Sequence, residues 1–230
     1  MNIYEFVWQN KEIFKLVYTI IIGLICFAIV LRTNRLFKLS MHRGIRYFRN
    51  AFFFYGLAFI MRYLLGLAGS IGSFNELYSL IIKGVFEFFL IMAGFCLVYS
   101  LLWKRFEPGR GFYSSLFNIR MFVLYLLAIV IVILDYLWKT YFFMFLLQIV
   151  LFIFASSISL FKYKKSKEKG FLRLYMVVIF LNLLAWIANF LVATFFEWHK
   201  GGVIGIYVLN IIIFILLLYG VMSATKKNRL

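Results

Sequence analysis

Acidic residues are scarce in this chain. Eight Asp and Glu stand against 25 Lys and Arg, and charged residues of both signs make up only 14% of the 230 positions. A water-soluble domain carries about a quarter charged residues, so this chain has too little charge to cover a water-facing surface. Proline is nearly absent: Pro108 is the only one, in a Gly- and Arg-containing stretch that reads as a loop, so no apolar run contains a proline kink. The two cysteines, Cys26 and Cys96, lie singly in apolar runs, which excludes a disulfide framework and a CxxC zinc site. The two histidines, His42 and His199, flank apolar runs, so neither a bis-histidine haem nor a histidine-rich metal site can be built inside a bundle. HExxH, GxSxG, paired aspartates and a phosphate-binding glycine loop are all missing. The familiar catalytic classes go with them, and no catalytic residue is assigned.

What is present is apolar and aromatic. Hydrophobic residues make up 65% of the chain, with thirty Phe and fifteen Tyr, and the mean hydropathy is +0.98. A core of this size could not bury so many rings in water; they require lipid. About 20 apolar residues cross a hydrocarbon core of ~30 Å. Seven runs qualify: 13–31, 51–68, 77–102, 121–137, 142–161, 171–196 and 203–222. Only Trp138 to Tyr141 separate the fourth from the fifth, and one continuous helix there would be too long for a single crossing, so a tight hairpin is predicted. The expected fold is all-α, a seven-helix membrane bundle forming one domain over 1–230 with no soluble domain attached.

Orientation follows from the cations. Nineteen of the 25 basic residues fall in alternate connections and the tail, against four on the opposite side. The positive-inside rule then places the N-terminus outside and the C-terminus in the cytoplasm, as a multi-pass protein of the cell membrane. The first run follows the non-basic segment MNIYEFVWQNKE and precedes a basic cluster, so it reads as a retained anchor and not as a cleaved signal. Trp8, Trp138, Tyr141 and Trp198 fall at the expected outer boundary and Trp103 at the inner one. Arg43, Arg46, Arg49, Lys162, Lys164, Lys165, Lys167 and Lys169 are expected to form a cytoplasmic face for anionic lipid headgroups or a protein partner. Topology accounts for this basic load without nucleic acid.

Ionisable residues inside a span are costly unless paired or hydrated, which makes them the first candidates for a site. Arg62 and Glu87 fall near the midplane, ~15–16 Å from the span ends, with Lys83 one turn from Glu87 and Asp135 at the depth of Lys83. The matched depths predict Arg62 paired with Glu87, and Lys83 with Asp135 or Glu87. Gln148, Asn189 and Asn210 fall ~7–11 Å below the outer boundary, and Trp186 lies one turn below Asn189 as the expected floor of an outer cavity. Asn182 and Ser156, Ser157 and Ser159 lie deeper and read as helix-packing residues. Two readings of the charged layer stand: a structural lock between spans, or a ligand or ion site.

Seven spans with an external N-terminus match the microbial rhodopsins in outline, but the seventh run has no lysine for a retinal Schiff base. No cofactor is expected. The lack of proline-broken helices also argues against many secondary transporters. The expectation is a non-enzymatic, receptor-like, sensory or partner-binding membrane subunit whose cavity opens outward and is sealed below by packed apolar side chains. The alternative is a transporter or channel built on Arg62, Lys83, Glu87 and Asp135.

Overall fold

The computed structural model describes residues 11–40, 43–71, 76–106, 119–165, 170–195 and 200–227. Among them seven α-helices follow one another: α1 (Lys11–Ser40), α2 (Arg43–Ile71), α3 (Glu76–Phe106), α4 (Ile119–Leu137), α5 (Phe142–Lys165), α6 (Gly170–Thr194) and α7 (Lys200–Lys227). All but α2 contain a segment long and apolar enough to cross a membrane. Although α2 has 29 residues, it is interrupted chemically by Arg43, Arg46 and Arg49 at its start and Arg62 further along.

Several helices outrun the apolar runs that announce them. α1 continues through Arg32, Arg35 and Lys38, and α2 already begins at Arg43. The basic segment expected as the first connection is therefore helical on both sides of residues 41–42. Lys and Arg are good helix formers, so nothing at the edge of an apolar run obliges the i→i−4 ladder to stop. Lys162, Lys164 and Lys165 likewise extend α5. Lys167 and Lys169, with Trp8, Trp198, His42 and His199, lie outside the described residues.

The hairpin between α4 and α5 falls where the sequence places it, after Leu137 and before Phe142. Its geometry is a left-handed helix cap. The Thr140 amide donates to the Asp135 carbonyl at 3.0 Å, the Lys139 amide donates to the Tyr136 carbonyl at 3.1 Å, and Lys139 has φ 51°. Glycine is the usual occupant of that position, so this lysine is held there by the turn around it.

Short connections make successive helices antiparallel, and the cross-helix contacts define two ends. At the hairpin end Tyr18 of α1 stacks on Tyr207 of α7, with ring centroids 4.4 Å apart. At the opposite, basic end Tyr47 of α2 meets Tyr99 of α3 at 4.3 Å, and Phe48 meets Tyr175 of α6 at 6.2 Å. Laterally the helices pack in the order α1, α2, α3, α5, α6, α7 and back to α1, closing a ring of six. α4 stands outside the ring, against α3 and α5. Among the described residues, helices facing each other across the ring keep their backbones apart and meet through side chains, as Phe48 of α2 does with Tyr175 of α6.

The ring is filled toward the basic end by Tyr47, Phe52, Phe152, Val178 and Ile179, all fully buried. Its outside is apolar as well: Leu24, Phe27, Ile81, Val130, Ile153 and Leu184 are exposed. An exterior this apolar suits lipid, in which burial of apolar surface no longer drives association and packing and polar contacts hold the helices together.

Candidate functional site

Between the separated backbones of opposing helices, a cavity of about 240 Å³ occupies the centre of the ring. All six ring helices line it and α4 does not. Tyr18 comes from α1, Tyr55, Phe59 and Arg62 from α2, and Phe86 and Leu90 from α3. Met144 and Phe145 come from α5, Asn182, Trp186 and Asn189 from α6, and Asn210 and Phe214 from α7, while Tyr141 lines it from the hairpin between α4 and α5.

The spacing of these residues explains how the helices present them. Tyr55, Phe59 and Arg62 are four and three residues apart, as are Asn182, Trp186 and Asn189, and Tyr207, Asn210 and Phe214 run three then four. Residues at those intervals share one helical face. The floor is aromatic: Phe214 meets Phe52, Tyr55 and Phe59 edge-on at 6.1, 5.7 and 5.9 Å. Trp186 was expected there, but Asn182 and Phe214 also line the cavity, one turn deeper on α6 in the case of Asn182, so Trp186 is part of the wall. It packs against Phe145 at 6.1 Å.

Arg62 is the one charged residue of the lining among the described residues. Its guanidinium donates to the Tyr207 hydroxyl at 3.4 Å and lies 5.6 Å from the Tyr207 ring centroid and 6.0 Å from that of Phe86. Aromatic faces thus replace the carboxylate the sequence predicts, and the expected Arg62–Glu87 ion pair does not form. The asparagines are tethered by one N–H each. Asn182 and Asn189 donate to the Val178 and Ala185 carbonyls at 3.0 and 2.8 Å, and Asn210 donates to the Tyr18 hydroxyl at 3.1 Å. Each keeps its side-chain carbonyl and a second N–H unused among the described residues. Tyr55 is 6% exposed, and its buried hydroxyl has no hydrogen-bond partner among the described residues.

The remaining predicted residues lie beside the cavity. Lys83 places its ammonium 4.0 Å from the centre of the Tyr141 ring, so its direct contact is an aromatic face, with Asp135 and Glu87 within electrostatic range. Asp135, 1% exposed, accepts the Phe143 and Met144 amides at 2.9 and 2.8 Å and so caps the N-terminus of α5 from the preceding helix. Glu87 is 2% exposed on α3, within electrostatic range of Asp135 and Lys83. Gln148, fully buried on α5, donates to the Leu90 carbonyl of α3 at 3.0 Å. Gly94 makes room for it, since a β-carbon there would stand 2.6 Å from the Gln148 Oε1.

Part of the basic face also makes contacts back onto the bundle, from half-buried Arg46 and Arg49 and exposed Lys162. Arg49 donates to the Asn34 Oδ1 at 2.7 Å, Arg46 lies 5.9 Å from the Phe37 ring centroid, and Lys162 donates to the Leu101 carbonyl. Lys164 is exposed. Arg43 and Lys165 belong to α2 and α5, with side chains outside the described residues.

Tyr18, Tyr55, Tyr207 and Phe214 are the site residues that sequence reasoning missed. Tyrosines read as interfacial anchors or lipid-facing rings, and only their three–four spacing with Arg62 and Asn210 marks them. No family model matches this chain. No solved structure matches it. Over 102 residues the chain is 38% identical to a protein of Archaeoglobus fulgidus described as uncharacterized. That similarity covers 41% of this chain and 45% of the relative, so the chain matches less than half of the relative's length.

Proposed function

We propose that this chain is a non-enzymatic, receptor-like protein of the cell membrane that binds a small ligand in the centre of a seven-span bundle. In this reading α2 is the seventh span. Its Arg62 is tolerated because the guanidinium is directed to Tyr207 and the cavity, away from lipid. The distribution of Lys and Arg sets the hairpin end outside, with the C-terminus in the cytoplasm. Lys164 and the neighbouring basic residues then face anionic headgroups or a cytoplasmic protein partner. No cofactor or nucleic acid is invoked.

The observation that carries the reading is the two-part filling of the ring. Polar groups gather at the hairpin end around a cavity, and fully buried apolar side chains fill the basic end. A binding pocket needs polarity at one depth, whereas a conduction path needs polar lining or a hydratable constriction throughout. The purified protein, reconstituted in liposomes and assayed for ion and small-solute flux, is expected to show none above protein-free liposomes. Flux that disappears in a folded Arg62→Gln variant would establish the transporter reading instead.

A further inference from the structure

Resting on that reading of the central cavity, we infer that its ligand is a small monocarboxylate with an aromatic or aliphatic body. The charge balance of the lining gives the headgroup. Arg62 supplies one positive charge, and among the described residues none of the others that line the cavity is Asp or Glu. Among the described residues Arg62 has no carboxylate partner; the Tyr207 hydroxyl at 3.4 Å is its hydrogen-bond acceptor. A guanidinium presents a planar fork of N–H donors that matches a carboxylate, and one donor engaged with a hydroxyl leaves the others for a ligand. A single cation in apolar walls neutralises a single negative charge. A phosphate dianion would bring an unbalanced second charge into the bundle, and an amine would meet Arg62 as a like charge.

The walls give the body. Phe59, Phe86, Leu90, Met144, Phe145 and Phe214 are apolar and border the same cavity. Its volume of about 240 Å³ equals roughly eight liquid waters at ~30 Å³ each, which suits a ligand of roughly eight to ten non-hydrogen atoms. The side-chain carbonyl and second N–H of Asn182 and of Asn189, unused among the described residues, add places for one further polar substituent.

The test uses the full chain, purified in detergent, with thermal unfolding as the readout. The probes are phenylacetate and hexanoate, each with its primary amide and the corresponding amine. The carboxylates are expected to raise Tm in a saturable way, with amides and amines giving no comparable shift. Losing a charge-assisted contact weakens binding roughly 10- to 100-fold, so Arg62→Gln should reduce carboxylate affinity by that factor and Arg62→Lys by less. Arg62→Lys keeps the charge and loses the planar fork of donors, so carboxylate binding that is weakened but still selective over the amides keeps the test open if Arg62→Gln does not fold. Equal shifts from amides or amines would overturn the carboxylate assignment while leaving a ligand-binding cavity in place. Undiminished carboxylate binding in Arg62→Gln would move the site elsewhere. No shift from any probe would also overturn the assignment, and the cavity reading would then be judged by its accessibility from the two sides of the membrane.

Discussion

Arg62 of α2 and Tyr207 of α7 meet at the hairpin end of the ring, a guanidinium nitrogen 3.4 Å from the phenolic oxygen. The same cation lies over the Tyr207 and Phe86 rings. Ring faces attract a cation without bringing a second desolvated charge into the bundle. This solves the problem of an arginine within a span differently from the ion pair that depth alone suggests, and it leaves N–H groups of Arg62 available to the cavity.

A pair of double-mutant cycles measured by thermal unfolding in detergent separates the two accounts. Arg62→Gln with Glu87→Gln should be additive to within about 0.5 kcal/mol, as for residues that do not interact. Lys83→Met with Tyr141→Leu should show a coupling of about 1–2 kcal/mol, the range for a partly desolvated cation over a ring. Strong coupling in the first cycle with none in the second would restore the ion-pair account.

Asp135 is predicted to act as the clasp of the hairpin. Its carboxylate accepts two amides at the start of α5 while its own carbonyl accepts the Thr140 amide. Asp135→Ala leaves buried N–H groups without an acceptor and should cost about 1–3 kcal/mol. Lys139→Gly relieves the left-handed backbone position and should be neutral or stabilising. A neutral Asp135→Ala would remove the clasp.

Gln148 and Gly94 form a steric pair between α5 and α3. In a helix, Gly→Ala alone is worth about 1 kcal/mol of stabilisation. Gly94→Ala is nevertheless expected to lower Tm, because the new β-carbon occupies the place of the Gln148 amide. In a Gln148→Ala background the same change should raise Tm. Stabilisation by Gly94→Ala in the parent protein would contradict the pairing.

Much of this was legible in the chain. The apolar runs give the helices, and the four residues after Leu137 give the hairpin between Leu137 and Phe142. Arg62, Asn189 and Asn210 stand out as polar residues in apolar surroundings, and all three line the cavity. Rotation about the helix axis was not legible. Depth arithmetic puts Arg62 and Glu87 at one height, but Phe86 and Leu90 of α3 face the cavity while Gly84, three residues before Glu87, packs against Val132 of α4. Successive residues differ by about 100° around a helix, so Glu87 and Phe86 look in different directions. Lateral order was hidden too: nothing in the α4 run announces that this helix stands outside the ring. The capping role of Asp135 also escaped, because an acid near the end of one helix gives no sign that the next helix turns back onto it.

Cysteine accessibility from each side of the membrane tests the central claim most directly. Asn189→Cys, placed in a Cys26→Ala, Cys96→Ala background, reports on the cavity, with Lys139→Cys and Lys164→Cys marking the hairpin and basic ends. A membrane-impermeant thiol reagent should modify Asn189→Cys and Lys139→Cys in intact cells and leave Lys164→Cys untouched. In inverted vesicles it should modify Lys164→Cys alone. Modification of Asn189→Cys in inverted vesicles would show that the cavity reaches the basic side, contradicting a ligand chamber closed at its base.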